Sequence, residues 1–194
     1  MRKPFIVEFT GTPEAGKTTV INQLYSLLSN KGYKVKLYPE SAELSKSLFP
    51  KGVKDAKLWT NINTLQNIIE APFQTEYDII LFDRGSMDRL FWIYMDSIND
   101  FNFALQNCSI GNLFKDYPPD LLMIFRVSPK EALKRRGGEG HLVTNDFLMD
   151  YNRLLDVFIN SIEINKVIVS TDNQCIDEVV KITLNSILEN MNEP

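Results

Sequence analysis

The stretch Gly11-Thr12-Pro13-Glu14-Ala15-Gly16-Lys17-Thr18 follows an apolar run at residues 5–10. It opens a segment, residues 17–30, in which Val20, Ile21, Leu24, Leu27 and Leu28 fall on one helical stripe. The octapeptide fulfils G-x-x-x-x-G-K-[ST], and a strand before it and a helix after it are the context that gives the pattern meaning. A polyphosphate tail concentrates several negative charges in a small volume. Successive backbone N–H groups surround such a tail without side-chain clash. Gly11 and Gly16 permit the tight turns, and the helix starting near Lys17 directs its positive end at the same oxygens. The expected nucleotide-binding set is therefore Gly11, Thr12, Pro13, Glu14, Ala15, Gly16, Lys17 and Thr18, with Thr19 behind them. Lys17 reaches the β- and γ-phosphates, and the Thr18 hydroxyl ligates magnesium. The competing reading is a glycine-rich turn with a surface lysine.

Working outward, four more short apolar runs read as buried strands: residues 34–38, 78–82, 121–127 and 166–170. Helical spacing marks residues 58–73, where Leu58, Ile62, Leu65, Ile68 and Ile69 form a stripe. It also marks residues 87–98, 101–114, 129–136, 144–163 and 176–191. Apolar strands alternating with helices predict an α/β fold with a parallel sheet covered on both faces, a three-layer arrangement. A length of 194 residues suits one domain over residues 1–194. Gly137-Gly138-Glu139-Gly140, between two helices, makes residues 134–145 a candidate lid.

The formal net charge of -4 and a pI near 5.1 give no general attraction to a nucleic acid polymer or an anionic membrane. No run approaches the ~20 apolar residues that span a bilayer. A cytoplasmic location is the expectation. Cys108 and Cys175 match no zinc or redox spacing and read as buried or idle thiols, and the lone His141 gives no metal cluster.

Asp83 and Arg84 end the third strand, at the edge of a parallel sheet where ligands bind. Asp83 is a candidate for the magnesium shell. Arg84 is a candidate for gripping an acceptor or holding a catalytic base, with a simple Asp–Arg turn pair as the alternative. Glu40, after the second strand, is a candidate base or part of a helix N-terminus. Arg135 and Arg136 are candidates for closing over a transferring phosphoryl group, or form a basic helix end. Trp59, Gln66 and Phe73 are candidate substrate contacts through ring stacking and edge reading, with core packing as the alternative.

Taken with Ala15-Gly16-Lys17-Thr18-Thr19, the Asp83-Arg84 pair, and Val127-Ser128-Pro129-Lys130-Glu131-Ala132-Leu133 followed by Arg135 and Arg136, the chain resembles the thymidylate kinase and deoxynucleoside kinase superfamily of P-loop proteins. Phe147, Leu148 and Tyr151 resemble the helix after that family's lid. The resemblance implies a five-stranded sheet of order 2-3-1-4-5, ATP as donor, Mg2+, and a small-molecule acceptor such as a nucleoside or nucleoside monophosphate. It is compatible with a homodimer. The expected function is an ATP- and magnesium-dependent kinase with Lys17, Arg84, Glu40, Arg135 and Arg136 as its catalytic set. The alternatives are a nucleotide-dependent ATPase or regulatory switch without an acceptor, and a scaffold that binds nucleotide without turnover.

Overall fold

The computed structural model describes residues 2–50, 53, 55–99, 101–140 and 143–192, and among these the side chains of 99, 101–108 and 192 are left aside. Strands β1 (Phe5–Gly11), β2 (Val35–Tyr38), β3 (Ile79–Asp83), β4 (Leu121–Arg126) and β5 (Lys166–Ser170) form one sheet of order β2-β3-β1-β4-β5. All four pairings are parallel. The order and the layers agree with the expectation. Helices α1 (Lys17–Asn30), α2 (Ser41–Leu48), α3 (Asp55–Glu70), α4 (Ser86–Asn99), α5 (Phe101–Asp116), α6 (Pro129–Arg136), α7 (Asn145–Ser161) and α8 (Ile176–Asn192) flank the sheet.

The two faces of β1 separate the core. Val7 and Phe9 point into one cluster with Val20, Leu24, Val179 and Ile187, which places α1 and α8 on that side. Ile6 packs on the other side with Ile68, Ile80, Phe82 and Phe114. The alternation is the two-residue period of a strand. Leu122 and Ile124 of β4 join Phe91, Tyr151 and Leu155 in a third cluster under α4 and α7.

Two helical readings need correction. Residues 41–48, assigned to no helix above, form helix α2, with Glu40 at its N-cap as the alternative reading had it and with Ser41 and Ser45 buried. The helix expected over residues 58–73 starts at Asp55 and gives way to a 3-10 turn, Ala71–Phe73, where Pro72 has no N–H to continue the α-helical ladder. Its orientation also differs from the stripe reading. Thr60, Asn61, Thr64 and Ile68 are buried, whereas Leu58, Ile62 and Ile69 are exposed. Polar contacts turn the helix: Thr64 Oγ1 donates to Ser41 Oγ at 2.9 Å, and Ser41 Oγ donates to Asn63 Oδ1 at 3.0 Å. Cys175 is an exposed free thiol. The Cys108 side chain and His141 lie outside the described residues. No helix among the described residues is long and apolar enough to cross a membrane.

Glu8 interrupts the apolar run of β1 and is buried. Its carboxylate sits at the N-terminus of α4, accepting from Asp88 N at 2.7 Å, Met87 N at 3.1 Å and Ser86 Oγ at 3.1 Å. The two backbone donors are orphan N–H groups of the helix, so an acid in a strand caps a helix across the sheet. Burial outweighs the three bonds and pushes the Glu8 carboxyl up from 4.5 to about 7. The folded chain therefore holds this proton more tightly than the unfolded chain. Glu8 costs nothing below pH 4.5, and stability is lost as the pH rises from there to about 7. The expected loss from this group is about 3 kcal/mol. Urea unfolding of the wild type and Glu8→Gln across pH 4.5–8 is expected to show that slope only in the wild type.

Candidate nucleotide site

The register of the sheet brings the chemistry to one edge. Phe9 pairs with Asp83, Gly11 with Phe125, and Arg126 with Ser170, so the ends of β1, β3, β4 and β5 lie side by side. Gly11 has φ 125°, and a Cβ there would lie 2.0 Å from the Phe125 carbonyl oxygen. Only glycine fits. Thr12 N then donates to Phe125 O at 2.9 Å, seating the loop on β4. Helix α7 braces it from outside. Tyr151 OH donates to Gly11 O at 3.1 Å, and Thr12 Oγ1 donates to Asn152 Oδ1 at 2.6 Å. Gly16, at φ 83°, turns the chain into α1.

Lys17 folds back over the loop, and its Nζ donates to the carbonyls of Gly11 and Thr12 at 2.9 Å each. Burial first, and the Arg84 charge second, lower the Lys17 amine to about 7. Thr18 Oγ1 donates to Asp83 Oδ2 at 2.7 Å. Asp83 Oδ1 is buried without a hydrogen-bond partner. A hydroxyl and a carboxylate with a spare oxygen suit a hard divalent cation that takes oxygen ligands, so Thr18 and Asp83 fit magnesium.

Beyond Asp83, Arg84 adopts φ 67° and turns its side chain into a buried charge cluster. Its Nε lies 3.0 Å from Glu40 Oε1, a charge contact without hydrogen-bond alignment. Its NH1 donates to Asp88 Oδ1 at 2.9 Å. Asp88 also accepts from Thr10 Oγ1 and Arg89 NH2, both at 2.8 Å. The two carboxyls respond in opposite ways. Burial would raise Asp88, but Arg84 and Arg89 together hold it below its ordinary range. Glu40 faces Arg84 in poor alignment, and burial keeps its carboxyl raised. Asp88 and Asn152 were missed in the sequence. Asp88 stands four residues after Arg84, but Arg84 lies before α4 at φ 67°, so helical spacing does not pair them. Asn152 had no signal either, because its partners Thr12 and Val127 are distant in sequence.

Arg135 and Arg136 end α6 and meet the loop at Glu14. Arg135 NH1 donates to Thr171 Oγ1 at 3.0 Å and its NH2 to Thr171 O at 2.5 Å, and NH1 also reaches Glu14 O at 3.4 Å. Arg136 NH1 lies 3.4 Å from Glu14 Oε1. Asp172 accepts from the backbone N–H and hydroxyl of Ser128, the N-cap of α6. A cavity of about 320 Å3 lies beside the loop, lined by Ala15, Gly16, Thr19, Arg135, Thr171 and Gln174 among others. In the candidate lid, residues 141–142 lie outside the described residues.

The remaining candidates lie elsewhere. Trp59 is tilted against Phe49 with ring centroids 6.0 Å apart. Gln66 is exposed and donates to Glu70 at 3.0 Å. Phe73 is 79% exposed. No described contact joins these three to the loop.

No family model matches the chain. A curated relative, the urease accessory protein UreG of Ureaplasma parvum serovar 3, is 26% identical over 157 residues, which cover 77% of this chain and 72% of that protein. With the loop and the sheet order, this supports a P-loop NTPase fold of the nucleotide-dependent class. The expectation of a kinase is corrected. The relative carries the name of an accessory protein to another enzyme, not of a phosphotransferase, and the likeness to thymidylate kinase does not extend below the superfamily.

Removing Asp88 leaves Arg84 and Arg89 buried without their shared counter-charge. Asp88→Ala is expected to lower folding stability by about 3–5 kcal/mol, read as a reduced urea midpoint at unchanged slope.

Proposed function

We propose that the protein is a magnesium-dependent nucleoside triphosphatase whose bound nucleotide state regulates a protein partner. The Arg84 cluster carries this reading. A guanidinium free to grip an acceptor phosphate would lie open to the crevice, away from acids of its own chain. Arg84 is instead buried between Glu40 and Asp88, both anionic partners on its own chain. The similarity to a urease accessory protein supports a service role toward another protein.

In this reading the loop amides and Lys17 hold the β- and γ-phosphates. Lys17 exchanges the Gly11 and Thr12 carbonyls for phosphate oxygens, and the polyanion restores the charge that burial weakens. Thr18 and Asp83 hold magnesium, which when bound offsets charge on the phosphate oxygens. Glu40, with its raised proton affinity, orients a water across from Lys17. Arg135 and Arg136, anchored at Glu14, cover the nucleoside end beside the cavity. ATP is the proposed nucleotide. Asp172 spends its carboxylate on Ser128, so it is not free to read a guanine edge.

Phosphate release with MgATP and MgGTP is the test, each with and without a panel of nucleosides and nucleoside monophosphates. The expected turnover is slow, on the order of 10⁻² s⁻¹ or below. It is expected to prefer ATP, to ignore every acceptor, and to vanish in Lys17→Ala. Product phosphorylated on an added acceptor would overturn the reading, and a preference for GTP would overturn the choice of base.

A further inference from the structure

A second cavity opens at the edge of the sheet opposite the loop. It holds about 260 Å3, and Ile6, Ile68, Phe82 and Tyr117 form its apolar walls. Exposure tells its mouth from its floor. Lys3, Asp116 and Pro118 are exposed, and Lys3 and Asp120 stand beside the N-terminal ends of β1 and β4. Glu8 and Ser86 are 1% and 2% exposed, so they close the inner end. The nucleotide loop leaves the other, C-terminal end of β1.

The floor of this cavity accepts hydrogen bonds. A carboxylate has about four lone-pair positions. Three of those of Glu8 are taken by Asp88 N, Met87 N and Ser86 Oγ. One position is left on Oε1, which accepts from Asp88 N alone among the described contacts, and the Ser86 oxygen keeps its own lone pairs. The charges set the sign of a ligand. The positive end of α4 offsets roughly half a unit of the Glu8 charge, and Lys3 is paired with Asp120 at 3.2 Å. Asp116 at the mouth and the remainder on Glu8 leave the cavity acidic. We propose that this cavity binds a compact primary amine, its apolar body against the walls and its ammonium group on Glu8 and Ser86. Capping α4 explains three bonds to Glu8 but not the open volume beside them. That volume is just below the range of pockets that take drug-sized ligands, which sets the size of the amine.

An ammonium group bound there favours the ionised form of Glu8, whose carboxyl burial raises to about 7. Binding therefore exchanges a proton for a cation, and affinity rises with pH through that value. The other charges around Glu8 are few. Asp88 of α4 is held by Arg84 and Arg89, and Lys3, Asp116 and Asp120 stand at the mouth. From α3 and β3 the cavity receives Ile68 and Phe82, which carry no charge. The site does not rest on the nucleotide reaction. It does touch the same helix, because Glu8 bonds the first turn of α4, which carries Asp88.

The probe is 2-phenylethylammonium, a ring on a short ammonium arm, and 2-phenylethanol is its uncharged counterpart. Each is titrated into the full chain at pH 8 and pH 6, where the amine stays protonated, and amide shifts are followed by NMR. Saturable binding of the ammonium is expected at pH 8, with a dissociation constant on the order of 1 mM or tighter. It is expected to be about ten-fold or more tighter than the alcohol, with the largest shifts at Ser86, Met87 and Asp88. Affinity is expected to fall about ten-fold at pH 6, as Glu8 takes up its proton. Glu8→Gln is expected to lose the preference for ammonium over alcohol, and a preference retained in that variant would overturn the proposal. The wild type alone is also decisive. Absence of saturation by the ammonium at pH 8, equal affinity for the alcohol, unchanged affinity at pH 6, or largest shifts within residues 11–18 would each sink the site.

Discussion

At Gly11 the chain passes so close to β4 that the Phe125 carbonyl occupies the space of a side chain. Everything at the site follows from that approach. It places the loop against β4 and leaves the Gly11 and Thr12 carbonyls facing Lys17, so the lysine has donors' partners before any ligand arrives. The loop is thus held in a nearly finished shape by the sheet on one side and by Tyr151 and Asn152 of α7 on the other. Preorganisation of this kind lowers the entropic cost of binding a flexible triphosphate.

Around the loop the fold accumulates buried charge and balances it locally. Glu8 takes orphan N–H groups of α4, and the Asp88 side chain, in the same first turn, takes Thr10, Arg84 and Arg89. Both acids belong to the interface between β1 and α4. One carboxyl is raised and the other lowered, because Glu8 meets only neutral donors while Asp88 meets two guanidiniums. The electrostatics of the crevice are thereby tied to the packing of a single helix. A change that shifts α4 moves Arg84, and through Arg84 it reaches Glu40 and Lys17.

The region α2–α3 obeys a different logic. Its inner contacts include hydroxyls and amides beside the buried Ile68, while Leu58, Ile62 and Ile69 look outward.

The strands, the sheet's parallel character and the loop were legible in residues 5–18 and in the apolar runs, because those signals are local: periodicity, glycine at the turns, and a helix start. Asp83 and Arg84 could be placed at the ligand edge for the same reason, since strand ends in such a sheet share one side. What only the tertiary structure decided was partnership across the chain. Glu8 as the cap of α4, Asp88 as the anchor of Arg84, and Asn152 as a brace for Thr12 join residues 78, 4 and 140 positions apart. The direction in which α3 faces was likewise beyond the sequence. A stripe of Leu and Ile states that a surface wants burial, and only the packing around it shows whether the chain itself supplies the cover.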